Sequence, residues 1–152
     1  MQEIKKPRIK PPHIALFCVA LEILLKYFFR KLDVIPYPYN YFGIVPVFLG
    51  AFTMGWALYH FKRNDTPFIP GQIPTFVVTE GPYKYTRNPM YLGMMYILLG
   101  IAFFLGNLLS LLGPMVFFVA INSGFIPFEE KLMQKIFGKK YLEYKSRVRR
   151  WI

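Results

Sequence analysis

Two short stretches hold the side chains of this chain best suited to chemistry. One runs Thr79-Glu80-Gly81-Pro82-Tyr83-Lys84-Tyr85-Thr86-Arg87-Asn88-Pro89-Met90-Tyr91-Leu92-Gly93; the other is the acidic pair Glu129-Glu130. Pro89 suits the first turn of a helix, where its fixed φ is already helical and its missing N–H is not needed. Arg87 and Asn88 then sit at an amino-terminal cap, whose exposed N–H groups attract a carboxylate. The two acids follow Pro127, at a second candidate helix start where the dipole favours carboxylates. Capping alone is a sufficient structural account of them, and ligand binding competes with it. The segment from Thr66 to Pro89 carries prolines at 67, 70, 74, 82 and 89, five of the chain's 13. It is therefore neither helix nor flexible linker. Ordered irregular backbone has N–H and C=O groups in need of partners, and a polar ligand can supply them. No Ser/His/Asp set, metal site or phosphate-cradling glycine loop is visible. His13 and His60 read as interfacial histidines on separate apolar segments, and the single cysteine, Cys18, reads as a small buried hydrophobe.

The elements that must position these groups are apolar. Of 152 residues, 55% are hydrophobic and 19% aromatic, yet 19 Lys and Arg stand against 8 Asp and Glu, a formal charge of +11. Such aromatic content excludes a disordered chain, and the length of the apolar runs excludes a soluble basic nucleic-acid binder. Lys and Arg lie almost wholly between and after those runs, the pattern of a polytopic membrane protein. A first span runs from about His13 to Phe29. Its Glu22 and Lys26, four residues apart, share one face and can neutralise each other, either as a structural pair or as the polar wall of a cavity. A second span runs from about Tyr41 to Phe61. The block from Met90 to about Phe128 is 39 residues long, too long for one crossing of a core roughly 30 Å thick. It must fold back, and Gly106-Asn107 is the best turn. Gly93, Gly100, Gly106 and Gly113 would let the two short arms of this hairpin approach closely.

Four spans place 16 of the 19 Lys and Arg on the side of the amino terminus, the proline-rich loop and the tail, with Arg30 and Lys31 opposite and Lys26 inside the first span. The positive-inside rule makes the 16-charge side cytoplasmic. Lys5, Lys6, Arg8 and Lys10 precede an apolar run with no small-residue cleavage site, so no cleavable signal peptide is expected. From Glu129 to Trp151 the chain reads as a basic amphipathic helix, or two joined near Gly138, with Lys139, Lys140, Lys145, Arg147, Arg149 and Arg150 toward lipid phosphates. The expected fold is thus all-α: a single domain of about four membrane helices, one pair forming a short hairpin, with an amphipathic cytoplasmic helix at the end. Residues 1–65 form the two first spans, and residues 66–152 the loop, hairpin and tail.

The Gly-Pro-Tyr and Arg-Asn-Pro-Met-Tyr-x-Gly run, the glycine-broken hairpin, Glu129-Glu130, and Phe137-Gly138-x-x-Tyr141-x-x-Tyr144-x-x-x-Val148 together resemble the isoprenylcysteine carboxyl methyltransferase and phospholipid methyltransferase superfamily. These are integral membrane enzymes that use S-adenosylmethionine. The resemblance covers residues 66–151 and implies the following roles. Thr75, Phe76, Val77 and Val78 contact the cofactor through the loop backbone, and Tyr83 packs on it. Asn88, Pro89, Met90 and Tyr91 hold its amino-acid end. Glu129, with Glu130 beside it, faces its ammonium or ribose. Arg87 either pairs with the cofactor carboxylate or buttresses the tail, and Arg87 and Glu129 stand as the catalytic candidates. Asn88 replaces a histidine common in the isoprenylcysteine branch. Phe125 stands where that branch carries an arginine for the substrate carboxylate, which points to a lipid amine, hydroxyl or other small amphiphile. By their position about two turns before Glu129, Asn122 and Ser123 either hydrogen-bond its headgroup or, as polar residues in a span commonly do, pack against a neighbouring span.

A sulfonium methyl is already activated, so such a protein mainly aligns donor and acceptor in a desolvated pocket. Aromatic walls suit the sulfonium and the adenine. The expected partners are the bilayer and a membrane lipid or amphiphile entering sideways, with no nucleic acid and no metal. The expected location is a bacterial inner membrane or the endoplasmic reticulum, with the active site toward the cytoplasm. Three other readings remain: isoprenylcysteine methylation itself, an NADPH-dependent reductase of the membrane sterol type, and a non-catalytic lipid-binding bundle.

Overall fold

The computed structural model describes residues 9–67 and 73–152. Lys5, Lys6, Arg8 and Pro70, which entered the charge and proline arguments, lie outside these residues. Six α-helices follow in order: α1 Pro11–Phe28, α2 Ile44–Arg63, α3 Pro89–Leu105, α4 Leu112–Ala120, α5 Ile126–Phe137 and α6 Lys139–Arg147. No strand is formed among the described residues. The helical stretches Pro11–Phe28, Tyr39–Arg63 and Leu108–Phe137 are long and apolar enough to cross a membrane, and Pro89–Leu105 is a shorter apolar helix of 17 residues.

Helix α3 is the hub of the bundle. It packs most extensively on α2, and on α1 and α4 as well. Gly93 and Gly100 of α3 meet Gly50 of α2 and Gly43 just before it, the glycines of each pair seven residues apart, or about two turns. A methyl on Gly93 would come within 2.7 Å of the Gly50 carbonyl oxygen, and one on Gly100 within 2.5 Å of that of Gly43. Close backbone approach of this kind drives helix association where lipid offers no hydrophobic gain. Gly93, Gly100 and Gly113 therefore do not bring the two hairpin arms together, contrary to the expectation from the sequence. Gly93 and Gly100 face α2, and Gly113 of α4 faces Glu22 of α1. Gly50→Leu should destabilise the protein by about 3 kcal/mol, at the upper end of overpacking costs, because the obstacle is backbone and cannot move aside. Gly55→Leu, which points into open space, should leave the thermal midpoint in detergent nearly unchanged.

The turn at Gly106-Asn107 forms as expected. Gly106 ends α3 with a φ of +70°, a conformation that glycine adopts without strain. Its carbonyl accepts hydrogen bonds from Val34 N–H (2.8 Å) and Ile35 N–H (3.1 Å). Asn107 donates to the Phe29 carbonyl at 2.8 Å and to the Asp33 carboxylate at 2.9 Å. The hairpin turn is thus tied to the connection that leaves α1. The expected Glu22–Lys26 pair does not form. Lys26, near the end of α1, reaches Asp33 in that connection instead, as a long cationic chain does when it can carry its charge to the polar end of a span. Glu22 is fully buried between α1 and α4, and neither carboxylate oxygen has a hydrogen-bond partner among the described residues.

Pro127 does not begin a fresh helix, contrary to the expectation, since the chain stays helical from Leu108 to Phe137. Residues Ile121–Phe125 form one π-helical turn, in which Ile126 N–H bonds to the Ile121 carbonyl. That widened turn accommodates a proline whose ring would otherwise meet the carbonyl four residues back. The last span therefore runs straight through Glu129 and Glu130. The chain then reverses at Gly138, with φ +50°, and α6 folds back across the end of the bundle.

Candidate active site

At the end of the bundle where α2 finishes and α3 begins, a cavity of about 450 Å³ opens, within the size range of sites for small ligands. Its walls come from the start of α1 (Lys10, Pro12), the end of α2 (Met54, Leu58, Phe61), the proline-rich loop, the first turns of α3, and the facing sides of α5 and α6. Met54, Met90, Met94 and Met133 contribute four of the chain's seven methionines to a soft, adaptable wall. Tyr83, Tyr91, Tyr141 and Tyr144 supply aromatic surface. Burial pushes the hydroxyls of Tyr83, Tyr141 and Tyr144 above the ordinary phenol range, so near neutral pH all three are uncharged.

Most of the residues expected at a cofactor site meet here. Phe76, Val78, Tyr83, Arg87, Asn88, Pro89, Met90, Tyr91, Glu129 and Glu130 all line the cavity. Thr75 and Val77 do not. Thr75 Oγ1 bonds to the Asp65 carbonyl at 3.1 Å, its N–H bonds to Thr66 Oγ1 at 3.1 Å, and Val77 is fully buried behind the wall.

The two neighbouring acids have separate roles. Glu129 Oε1 accepts a hydrogen bond from the Tyr91 hydroxyl at 2.8 Å, and Glu129 forms no ion pair among the described residues. Glu130 is the centre of a cationic cluster. Its oxygens lie 3.1 Å from Arg87 Nη1, 3.0 Å from Lys145 Nζ and 3.1 Å from both Arg150 Nε and Nη2. Adjacent helical residues diverge by about 100°, so one acid can face the cavity while the next holds the tail. Arg87 is thus the buttress of the tail. Its side chain is only 10% exposed, and its Nε has no hydrogen-bond partner among the described residues.

The end of the chain is stitched across the start of α3. Arg87 N–H bonds to the Arg149 carbonyl at 3.0 Å, and the Arg150 carbonyl accepts from Thr86 Oγ1 (3.1 Å) and Asn88 Nδ2 (2.9 Å). Arg150 therefore does not face lipid phosphates as the sequence suggested, and neither does Lys145. Both turn inward to Glu130, while Lys139, Lys140, Arg147 and Arg149 remain exposed. The expected substrate residues are not in the cavity wall. Asn122 Oδ1 accepts from Arg150 Nη1 at 3.2 Å and Trp151 Nε1 at 3.1 Å. Phe125 is buried in the core with Cys18, Leu98 and Phe117. The π turn offsets the helical phase of residues 121–125 from Glu129, so counting turns back from the acid does not give the cavity face.

Sequence reasoning missed the end of α2 and the inward roles of Thr86, Arg150 and Trp151. Tyr141 and Tyr144 were legible only as one apolar face of the tail. Their spacing shows that they share a face but not what that face covers.

Residues 39–140 match the phospholipid methyltransferase family. An uncharacterized protein of Haemophilus influenzae is 43% identical over 63 residues, which cover 41% of this chain and all of that one. Protein-S-isoprenylcysteine O-methyltransferase B of Arabidopsis thaliana is 30% identical over 109 residues, covering 70% of this chain and 55% of that protein. The protein-S-isoprenylcysteine O-methyltransferase of Saccharomyces cerevisiae is 29% identical over 108 residues, covering 70% and 45%. The chain spans about half the length of the isoprenylcysteine methyltransferases it matches, and no solved structure matches it. The family match covers about two thirds of the chain and includes both the Arg87–Tyr91 run and the Glu129-Glu130 pair that the fold brings to one cavity, and the chain belongs to the phospholipid methyltransferase family.

Proposed function

We propose that this protein is an integral membrane methyltransferase that uses S-adenosylmethionine to methylate a lipid-like or small amphiphilic acceptor, with its site at the cytoplasmic face. The observation that carries the reading is the Glu129 carboxylate at the cavity, fixed by Tyr91 and left without an ion pair while its neighbour Glu130 takes three cations. An acid without a cationic partner among the described residues, set beside methionines and tyrosines, fits a ligand with a positive end. Glu129 holds the donor's ammonium or ribose, and Phe76, Val78, Tyr83 and Met90 pack on its adenosine. Arg87 Nε, and the first free N–H groups of α3, suit its carboxylate. When bound, the donor supplies a methyl group already activated by its sulfonium. The chain's residues orient it, keep water out and leave the acceptor's own nucleophile to attack.

The acceptor reaches this site from the bilayer. Lys10 and Pro12 at the start of α1 and Met54 and Leu58 of α2 line the cavity from two sides, yet α1 and α2 make almost no contact with each other. Such a gap admits an apolar chain laterally. Of the cations in the wall, Arg87 is engaged with Glu130 and Lys10 is exposed at the rim, so in the buried part of the cavity a neutral headgroup fits better than a free carboxylate, whose burial without a partner would cost several kcal/mol. Methyl esterification of a prenylcysteine is the second reading, favoured by the names of the relatives in Arabidopsis and yeast.

Calorimetry with S-adenosylhomocysteine on protein in nanodiscs should show one-to-one binding, and NADPH should show none. Radiolabelled S-adenosylmethionine incubated with a total lipid extract should then place base-stable label in the lipid fraction. Base-labile label on a farnesylcysteine analogue would favour the second reading. Absence of cofactor binding to folded protein would leave a non-catalytic bundle.

A further inference from the structure

His60, in the last turn of α2, is not part of the cavity wall, yet it is only 8% exposed. Its imidazole lies over Gly81, so that a Cβ at Gly81 would overlap the ring. Gly81 also has a φ of +59°, which disfavours any side chain there. It opens the tight turn Gly81–Lys84, closed by bonds from Tyr83 N–H to the Glu80 carbonyl (3.2 Å) and from Tyr85 and Thr86 N–H to the Pro82 carbonyl (3.1 and 3.2 Å). One residue on, Phe61 meets the Tyr83 ring edge to face at 5.4 Å. The Tyr83 carbonyl in turn accepts the Tyr144 hydroxyl at 2.8 Å. The end of α2 thus supports the turn, the turn carries Tyr83, and Tyr83 holds Tyr144 of α6, with both tyrosines lining the cavity.

We infer that His60 is a positioning residue for the donor site: its imidazole, packed against Gly81, holds the Gly81–Lys84 turn where Tyr83 and, through it, Tyr144 become cavity walls. A flat ring is what the bare face of a glycine accommodates, and a larger or tetrahedral group would push the turn away. The ring is itself held by packing: the Tyr59 ring meets it edge-on at 5.3 Å and the Trp56 ring lies at 6.4 Å, while Nδ1 faces the Glu80 carboxylate at 3.8 Å, beyond hydrogen-bond distance. Removing the imidazole leaves Phe61 as the turn's remaining support from the end of α2, opposite the Tyr144 hydrogen bond. The two tyrosines must then be ordered when the donor binds rather than before; each has only two side-chain torsions, so the cost is at the low end for side-chain ordering, and the pair weakens affinity about tenfold. This ligand assignment rests on the methyltransferase reading, whereas the anchoring of the turn does not.

The test uses His60→Ala, His60→Gln, Gly81→Ala and the double variant His60→Ala/Gly81→Ala, all full length and in nanodiscs. Hydrogen exchange of ligand-free protein should accelerate at residues 83–86 in His60→Ala and leave α3 unchanged. S-adenosylhomocysteine affinity should fall about tenfold, and His60→Gln should recover part of the loss. Gly81→Ala should weaken binding strongly in the unsubstituted background and distinctly less in His60→Ala, where the methyl has room, a coupling that independent structural damage would not give. Unchanged exchange in His60→Ala, or an equal Gly81→Ala effect in both backgrounds, overturns the inference. If His60→Ala does not fold, His60→Gln and Gly81→Ala decide by the same exchange signature. If the unsubstituted protein binds no S-adenosylhomocysteine, the methyltransferase reading falls while the exchange result still decides the anchor.

Discussion

Glu130→Ala should destabilise this protein by about 3 to 5 kcal/mol, the cost of breaking a buried ion pair by removing one partner. Three cations lose their acid together, but they do not suffer equally. Lys145 and Arg150, whose side chains are 36% and 32% exposed, can turn to water, whereas Arg87 at 10% cannot. Most of the loss is therefore the stranded Arg87 guanidinium, and removing it as well should restore stability. Arg87→Ala/Glu130→Ala is expected to be more stable than Glu130→Ala alone, with a coupling within the roughly 0.5 to 3 kcal/mol range of contacting residues. Thermal unfolding of the four proteins in detergent reads this directly. Additive losses would mean that losing Glu130 does not strand Arg87. The tail should also loosen selectively, since Arg150 bridges Glu130 and Asn122 while its carbonyl holds Thr86 and Asn88. Limited proteolysis should accordingly cut Glu130→Ala after Gly138 well before it cuts the bundle.

Glu129→Gln should have the opposite profile, with the fold kept and the ligand lost. The substitution preserves size and leaves an oxygen for the Tyr91 hydroxyl, so little stability is at stake. It removes the negative charge that we assign to the donor's cationic end. A hydrogen bond to a charged group is worth about 1.5 to 3 kcal/mol, so S-adenosylhomocysteine affinity should fall by roughly ten- to a hundredfold. Tyr91→Phe, which removes only the hydroxyl that aims the carboxylate, should cost about tenfold or less. Calorimetry on the three proteins at one salt concentration separates these effects. Undiminished affinity in Glu129→Gln would return the acid to a structural role at the membrane surface. Together the two substitutions test whether neighbouring acids are divided between holding the tail and holding the ligand.

Much of this arrangement was legible in the sequence. Apolar length alone required the block from Met90 to Phe128 to fold back, because a membrane core accepts only about 20 helical residues at a time. Gly106 was the residue able to make that turn, and Gly138 marked where the tail could divide into two helices. The site's two polar stretches were recognisable because arginine, asparagine and paired acids are costly beside apolar spans and are retained there for a partner. What the sequence did not determine is which face of each span looks inward. In a soluble helix the apolar stripe marks the buried face, but a membrane helix is apolar all round, so periodicity is silent about orientation. Only the tertiary structure decided that Gly93 and Gly100 meet α2 rather than the other hairpin arm, and that Phe125 belongs to the core rather than the cavity. The same holds for long charged side chains, whose flexible reach exceeds a helical turn. Lys26 passed over Glu22, four residues away, for Asp33, and Arg150 turned from the surface to Glu130, because the partner is fixed by where charge can be neutralised in three dimensions and not by spacing along the chain.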